Sequence, residues 1–139
     1  MDQSIPQLRQ DVTLTCTDQW GREVAVSTTL GYRREDPYAL TLSFHASGGD
    51  VTWIVSRTLV MQGLVQPVGD GDVRVRPGHT GAEPTALLQF SSPDGSLVAQ
   101  ARSHELKSFL TRTFDAVPAG SESSHLDIDG LLTALLDAA

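Results

Sequence analysis

Residues 39–56 read ALTLSFHASGGDVTWIVS. Leu40, Leu42 and Phe44 alternate with Thr41, Ser43 and His45, and after Ser-Gly-Gly-Asp the segment resumes with Val51, Trp53 and Val55 sharing one face. Period-two alternation broken by a glycine-rich turn signal predicts two antiparallel strands, each half-buried. The same rhythm extends in both directions. DVTLTC places Val12, Leu14 and Cys16 opposite Thr13 and Thr15, and EVAVSTTL points Val24, Val26 and Leu30 one way. QWGR and REDPY separate these runs, and Asp36-Pro37 favours a turn because proline restricts the residue before it.

Downstream of Ser56 the period changes. SRTLVMQGL sets Leu59, Val60 and Leu64 toward one side of a short helix, with Ser56 as its cap and Gly63 near its end. Strand character returns in DVRVR, TALLQF and SLVAQA, the last two joined by the hairpin signal SSPDG. In SHELKSFLTRTF, Leu106, Phe109, Leu110, Thr113 and Phe114 follow helical spacing, with Ser103 as the expected cap and Glu105 favouring the positive end of the dipole. VPAGSESS ends that helix. Ile128, Leu131, Leu132, Leu135 and Leu136 then form a second stripe behind Asp127, read as its cap. A helix of about ten residues is not stable alone in water, so its leucines require a partner surface, its own sheet or a neighbouring chain. The expected fold is α+β: about seven to eight strands in two antiparallel sheets, one short middle helix and C-terminal helices, in a single domain over residues 1–139.

Composition narrows the function classes. The 139 residues are 40% hydrophobic and 19% charged, an ordinary globular balance. The formal net charge is −7 and Lys107 is the only lysine, which disfavours a generic nucleic-acid binder. Cys16 is the only cysteine and can make no internal disulfide, as suits a reducing cytosol. The first residues carry no basic-then-apolar secretory signal, and no apolar run is long enough to span a bilayer. A cytoplasmic protein is expected.

The most site-like stretch is PVGDGDVRVRPG, residues 67–78. As a calcium loop starting at Asp70 it fails: Arg74 falls where an oxygen ligand belongs, Val75 where the sharp turn needs glycine, and Gly81 where a bidentate Glu is required. As a phosphate loop it opens a strand rather than a helix. It reads as a structural turn, with the Asp72 side chain serving turn amides or an arginine. His45, His79, His104 and His125 are scattered without metal-ligand spacing. Cys16 alternates with Val12 and Leu14 as a core residue does, and no Gly-x-Ser-x-Gly elbow is present. No enzyme signature stands above background, and no metal, cofactor or catalytic residue is expected. Trp20, Tyr38 and Trp53 remain as candidate anchors, and Arg74 with Arg76 share one strand face.

The ordered set GYRREDPYALTLSF, W-x-x-x-R-x-L-x-x-x-G-L, PVGDGDVRVRP, SSPDG and FLTRTFDAVPAGSESSHLDIDGLLTALL resembles the SsgA-like proteins of sporulating actinomycetes, above all their SsgB-like members. The resemblance runs from about Arg9 to the end. Two positions depart from the family pattern: Thr58 stands where an acid is usual and Arg76 where a tryptophan is usual. The resemblance implies a non-enzymatic protein of sporulation-specific cell division that helps position FtsZ at septa together with an SsgA-type protein. It implies a fold similar to the Whirly single-stranded-nucleic-acid binders, assembled as a homotrimer, and location at division septa without membrane insertion. Two alternatives accompany it: nucleic-acid binding of the Whirly type, and regulation of septal peptidoglycan. Asp36, Pro37, Tyr38, Trp53, Arg57 and Asp72 lie in the motifs that carry the resemblance and are the expected partner-binding or assembly residues.

Overall fold

A computed structural model describes residues 7–125 and 128–137. Four strands come first: β1 (Leu8–Asp18), β2 (Glu23–Tyr32), β3 (Ala39–Ala46) and β4 (Gly49–Ser56). Helix α1 (Arg57–Gly63) follows, then β5 (Val68–Asp70), β6 (Val73–Thr80), β7 (Glu83–Ser92) and β8 (Gly95–Arg102). Helix α2 (Ser103–Ala116), a 3-10 turn (Glu122–His125) and helix α3 (Ile128–Asp137) complete the chain. Each half of the sheet is thus a four-strand meander that runs into a helix.

All eight strands belong to one antiparallel sheet in the order β4-β3-β2-β1-β8-β7-β6-β5. Two sheets were expected. The halves are joined because β1 pairs with β8, but only from Thr15↔Gln100 to Asp18↔Leu97. By contrast, β1 pairs with β2 from Leu8↔Tyr32 to Thr17↔Glu23. This short seam lets the sheet curl, and the inner faces meet at one end: Phe44 of β3 packs edge-on against Phe90 of β7 at 5.9 Å, and Trp53 of β4 lies 4.8 Å from the same ring. Leu14, Leu30, Leu40 and Leu42 from one half and Leu88 and Ala99 from the other are buried on the inner side, and Val60 of α1 with Leu106, Phe109 and Leu110 of α2 complete the core.

The turns follow the sequence closely. Gly71 takes φ +60° between β5 and β6, while among the described residues no non-glycine residue has a positive φ, as a type II′ hairpin turn requires. Pro77 is tolerated inside β6 because β5 reaches only as far as Val75. The missing N–H of Pro77 therefore faces no neighbour on that side.

Ser56 caps α1 through Leu59 N–H at 3.1 Å. Gly63 is needed for space rather than for its backbone angle: a Cβ there would overlap the side chain of Val75, so α1 lies directly on β6. Ser103 is not the cap of α2; Arg102 holds that position and no side chain caps the helix. The first turn instead carries Glu105, which favours the positive end of the dipole. Asp127 lies outside the described residues. Leu132, Leu135 and Leu136 of α3 are exposed. Among the described residues, no helix is long and apolar enough to cross a membrane.

Candidate functional site

The turn after β2 and the helix after β4, far apart in sequence, form one knot. Asp36 N–H reaches the Arg33 carbonyl at 3.1 Å and Ala39 N–H the Asp36 carbonyl at 3.2 Å, which closes the turn on itself. The buried Tyr32 hydroxyl donates to the Pro37 carbonyl at 2.9 Å, and Arg57 N–H donates to the Tyr38 carbonyl at 2.9 Å. Asp36 is exposed, Pro37 is buried and Tyr38 is 49% exposed. Of these three, Tyr38 exposes aromatic surface.

Arg57 is wholly buried. Its guanidinium donates to the Thr113 carbonyl at 2.9 Å, to the Val117 carbonyl at 2.7 Å and to Glu122 Oε2 at 3.1 Å. It also stacks 4.0 Å above the Phe114 ring and 5.2 Å from the Tyr32 ring. A helix leaves its last carbonyls unsatisfied and its C-terminus partly negative. Arg57 answers both needs at the end of α2. Glu122 Oε1 in turn accepts from Gly120 N–H at 2.7 Å. A hydrogen bond from its own backbone amide holds the Glu122 carboxyl below the ordinary glutamate range; burial opposes this, and Arg57 and Gly120 add to it. Burial pushes the Tyr32 phenol up, with Arg57 pulling the other way. Arg57 thus holds in place the end of α2 and the turn beyond it.

Trp53 and Asp72 lie away from this knot. Trp53 sits half-buried on the outermost strand of one half-sheet, against Phe90. It forms a cleft of about 300 Å³ with Phe90 and Trp20, which is 71% exposed. Trp20 stands on a rigid turn: Asp18 Oδ1 accepts from Trp20 N–H at 2.9 Å and Arg22 N–H at 3.0 Å, while Arg22 Nε donates to Asp18 Oδ2 at 2.7 Å. These bonds, led by the one from Arg22 N–H, lower the Asp18 pKa. The Asp72 side chain is exposed, and its backbone carbonyl accepts from Ser91 N–H at 2.9 Å. Arg74 and Arg76 are exposed on one face of β6, with no ion pair among the described residues.

One array was not foreseen from the sequence. Thr29 Oγ1 lies 2.7 Å from Asp11 Oδ1 and 2.7 Å from His45 Nε2, and His45 Nδ1 lies 3.1 Å from Asp50 Oδ2. It crosses β1, β2, β3 and β4 on the outer face of the sheet, at the wall of a polar groove of about 760 Å³. It has the members of an acid–base–hydroxyl triad, but Thr29 is 7% exposed and donates its one proton to the Asp11 carboxylate, so that toward His45 Nε2 the hydroxyl oxygen can only accept. The arrangement ties four strands together. The signal was present in the register: Thr29 faces Asp11 across β1–β2, and His45 faces Asp50 across β3–β4. Cys16 lies in the core, and burial raises its thiol pKa, as befits an inert thiol.

Residues 26–122 match the family described as "Streptomyces sporulation and cell division protein, SsgA". A "sporulation-specific cell division protein SsgB" of Kineococcus radiotolerans is 38% identical over 91% of this chain and 78% of its own length. The SsgB of Streptomyces coelicolor is 39% identical over 80% of this chain and 82% of its own. The structure of an SsgA-like sporulation-specific cell division protein from Thermobifida fusca superposes with a TM-score of 0.83 at 34% identity, covering 96% of this chain and 98% of that one. An SsgB structure from work on longitudinal cell division during sporulation of Streptomyces coelicolor gives a TM-score of 0.79 at 34% identity, covering 85% and 94%.

Proposed function

The chain belongs to the SsgA family of sporulation and cell-division proteins, and from that premise we propose that it is a non-enzymatic scaffold of sporulation-specific septation. The observation that carries this reading is the match to sporulation-specific cell division proteins over nearly the whole chain, in sequence and in fold. The scaffold acts in the cytoplasm at the septum, helping FtsZ to assemble there together with an SsgA-type protein. It works as a homotrimer. The exposed Leu132, Leu135 and Leu136 support self-association, since a ten-residue helix with bare leucines gains its stability from a second surface.

Asp36, Pro37 and Tyr38 present one partner-facing turn, with the Tyr38 ring as its anchor. Arg57 holds that turn through the Tyr38 carbonyl and holds the 3-10 turn beyond α2 through Glu122. Trp53 belongs to a second exposed region, and the hairpin at Asp72 braces β6 against Ser91. The Whirly-type reading gains Arg74 and Arg76 but meets a net charge of −7.

Co-sedimentation with polymerised FtsZ tests the scaffold. Purified protein pelleting in proportion to FtsZ polymer, and less so after Tyr38→Ala, is expected. Protein that stays in the supernatant at every polymer concentration defeats the FtsZ reading.

A further inference from the structure

The two ends of the sheet are finished differently. At one end β5 has three residues and lies beside α1. A very short, covered edge strand is a standard protection against stray pairing. At the other end β4 has eight residues, and among the described residues no strand pairs with its outer side. Val51 through Val55 reads Val-Thr-Trp-Ile-Val, strong strand formers with no charge, lysine, proline or glycine. Val51 is 53% and Ile54 65% exposed, on opposite faces of the strand. Such an edge is a template for another chain.

What lies beside the edge narrows the choice of chain. Trp53 opens into the cleft shared with Trp20 and Phe90. Asp94 lines that cleft with no ion pair among the described residues, while Asp18 on the same wall is paired with Arg22 and Asp50, near the start of β4, faces His45. No lysine lines the cleft, and the nearby Arg22 is committed to Asp18 and to the Trp20 ring. We propose that the free edge of β4 accepts an extended basic segment of another protein as a ninth strand, its alternate apolar side chains entering the Trp20–Trp53–Phe90 cleft. Main-chain hydrogen bonds supply the affinity and the aromatic cleft selects apolar residues at every second position. The Asp94 carboxylate and the net charge of −7 favour a basic segment. A second copy of this chain brings the same carboxylate and the same −7 and is the poorer occupant. The surface stands on the geometry of β4 and does not depend on FtsZ being the partner.

Three synthetic nine-residue peptides test this. One alternates lysine with valine, the second alternates glutamate with valine, and the third replaces every second lysine of the first with proline. The readouts are tryptophan fluorescence and hydrogen exchange at amides 50–56. The lysine peptide is expected to bind saturably and to slow exchange within β4, and the other two are not. Ile54→Lys, on an exposed face, should weaken binding by at least about tenfold with an unchanged melting temperature. Equal binding of all three peptides, or protection elsewhere in the chain, overturns the proposal. So does a protein dimer that Ile54→Lys dissolves, because the edge then belongs to a second copy.

Discussion

The Arg57 guanidinium lies 3.1 Å from the Glu122 carboxylate, with both side chains shielded from solvent and the two residues 65 positions apart in the chain. The contact joins the first helix to the turn beyond α2, so the second meander and its helix are closed in a single loop by one ion pair and its hydrogen bonds.

Removing Arg57 should therefore be severe. Arg57→Ala leaves the Glu122 carboxylate without its cation, takes from the Val117 carbonyl its guanidinium donor and from the Thr113 carbonyl its second donor, and leaves a void beside Phe114. Breaking a buried pair from one side costs about 3–5 kcal/mol. Arg57→Lys keeps the charge but cannot span three acceptors with a planar fork, and should fall between wild type and alanine. Urea denaturation of the three proteins measures the order.

The same pair gives the fold a pH signature. The folded Glu122 carboxyl titrates below the ordinary glutamate value of about 4.3. A depressed pKa contributes stability that is complete above the unfolded value and lost as pH falls through the folded one. Glu122→Gln should be less stable than wild type at pH 7. The gap should narrow as pH drops from about 5 through 4 and lower. Denaturation midpoints at four or five pH values check this; a gap that widens on acidification contradicts it.

Gly63 offers a test of packing. Alanine normally improves a helix by up to about 1 kcal/mol over glycine. Here the added Cβ runs into Val75, and overpacking of this kind costs about 1–3 kcal/mol. Gly63→Ala should destabilise, and Val75→Ala in the same chain should recover part of the loss. A double-mutant cycle showing additive effects would mean that the two sites do not touch.

The two tryptophans should separate folding from recognition. Trp20→Ala removes an exposed ring and should change stability by no more than about 0.5 kcal/mol. Trp53→Ala removes a ring packed on Phe90 and should cost clearly more. Thermal melts of the two variants give the comparison.

Much of the fold was legible because alternation is a local signal. The β3–β4 hairpin, the Ser56 cap and the Pro93-Asp94 turn all rest on residues close in sequence. The joining of the halves was not, because the β1–β8 seam pairs Thr15 with Gln100 and depends on how two meanders dock. Arg57 was singled out by its motif, but its burial was illegible: an arginine at a helix start is ordinarily at the surface, and its acid lies far downstream. The Asp11–Thr29–His45–Asp50 array was hidden in the same way, since it forms only once four strands are in register. Asp72 was expected to serve turn amides or an arginine through its side chain; the contact shown is made by its backbone carbonyl, to Ser91 N–H.

The central claim is a place at the sporulation septum. A fluorescent fusion expressed from the native locus, imaged through sporulation alongside FtsZ, tests it most directly. Ladders of foci at the future septa, coinciding with FtsZ as the rings form, are the predicted result. A diffuse signal throughout sporulation, with FtsZ ladders forming normally when the chain is deleted, would contradict it.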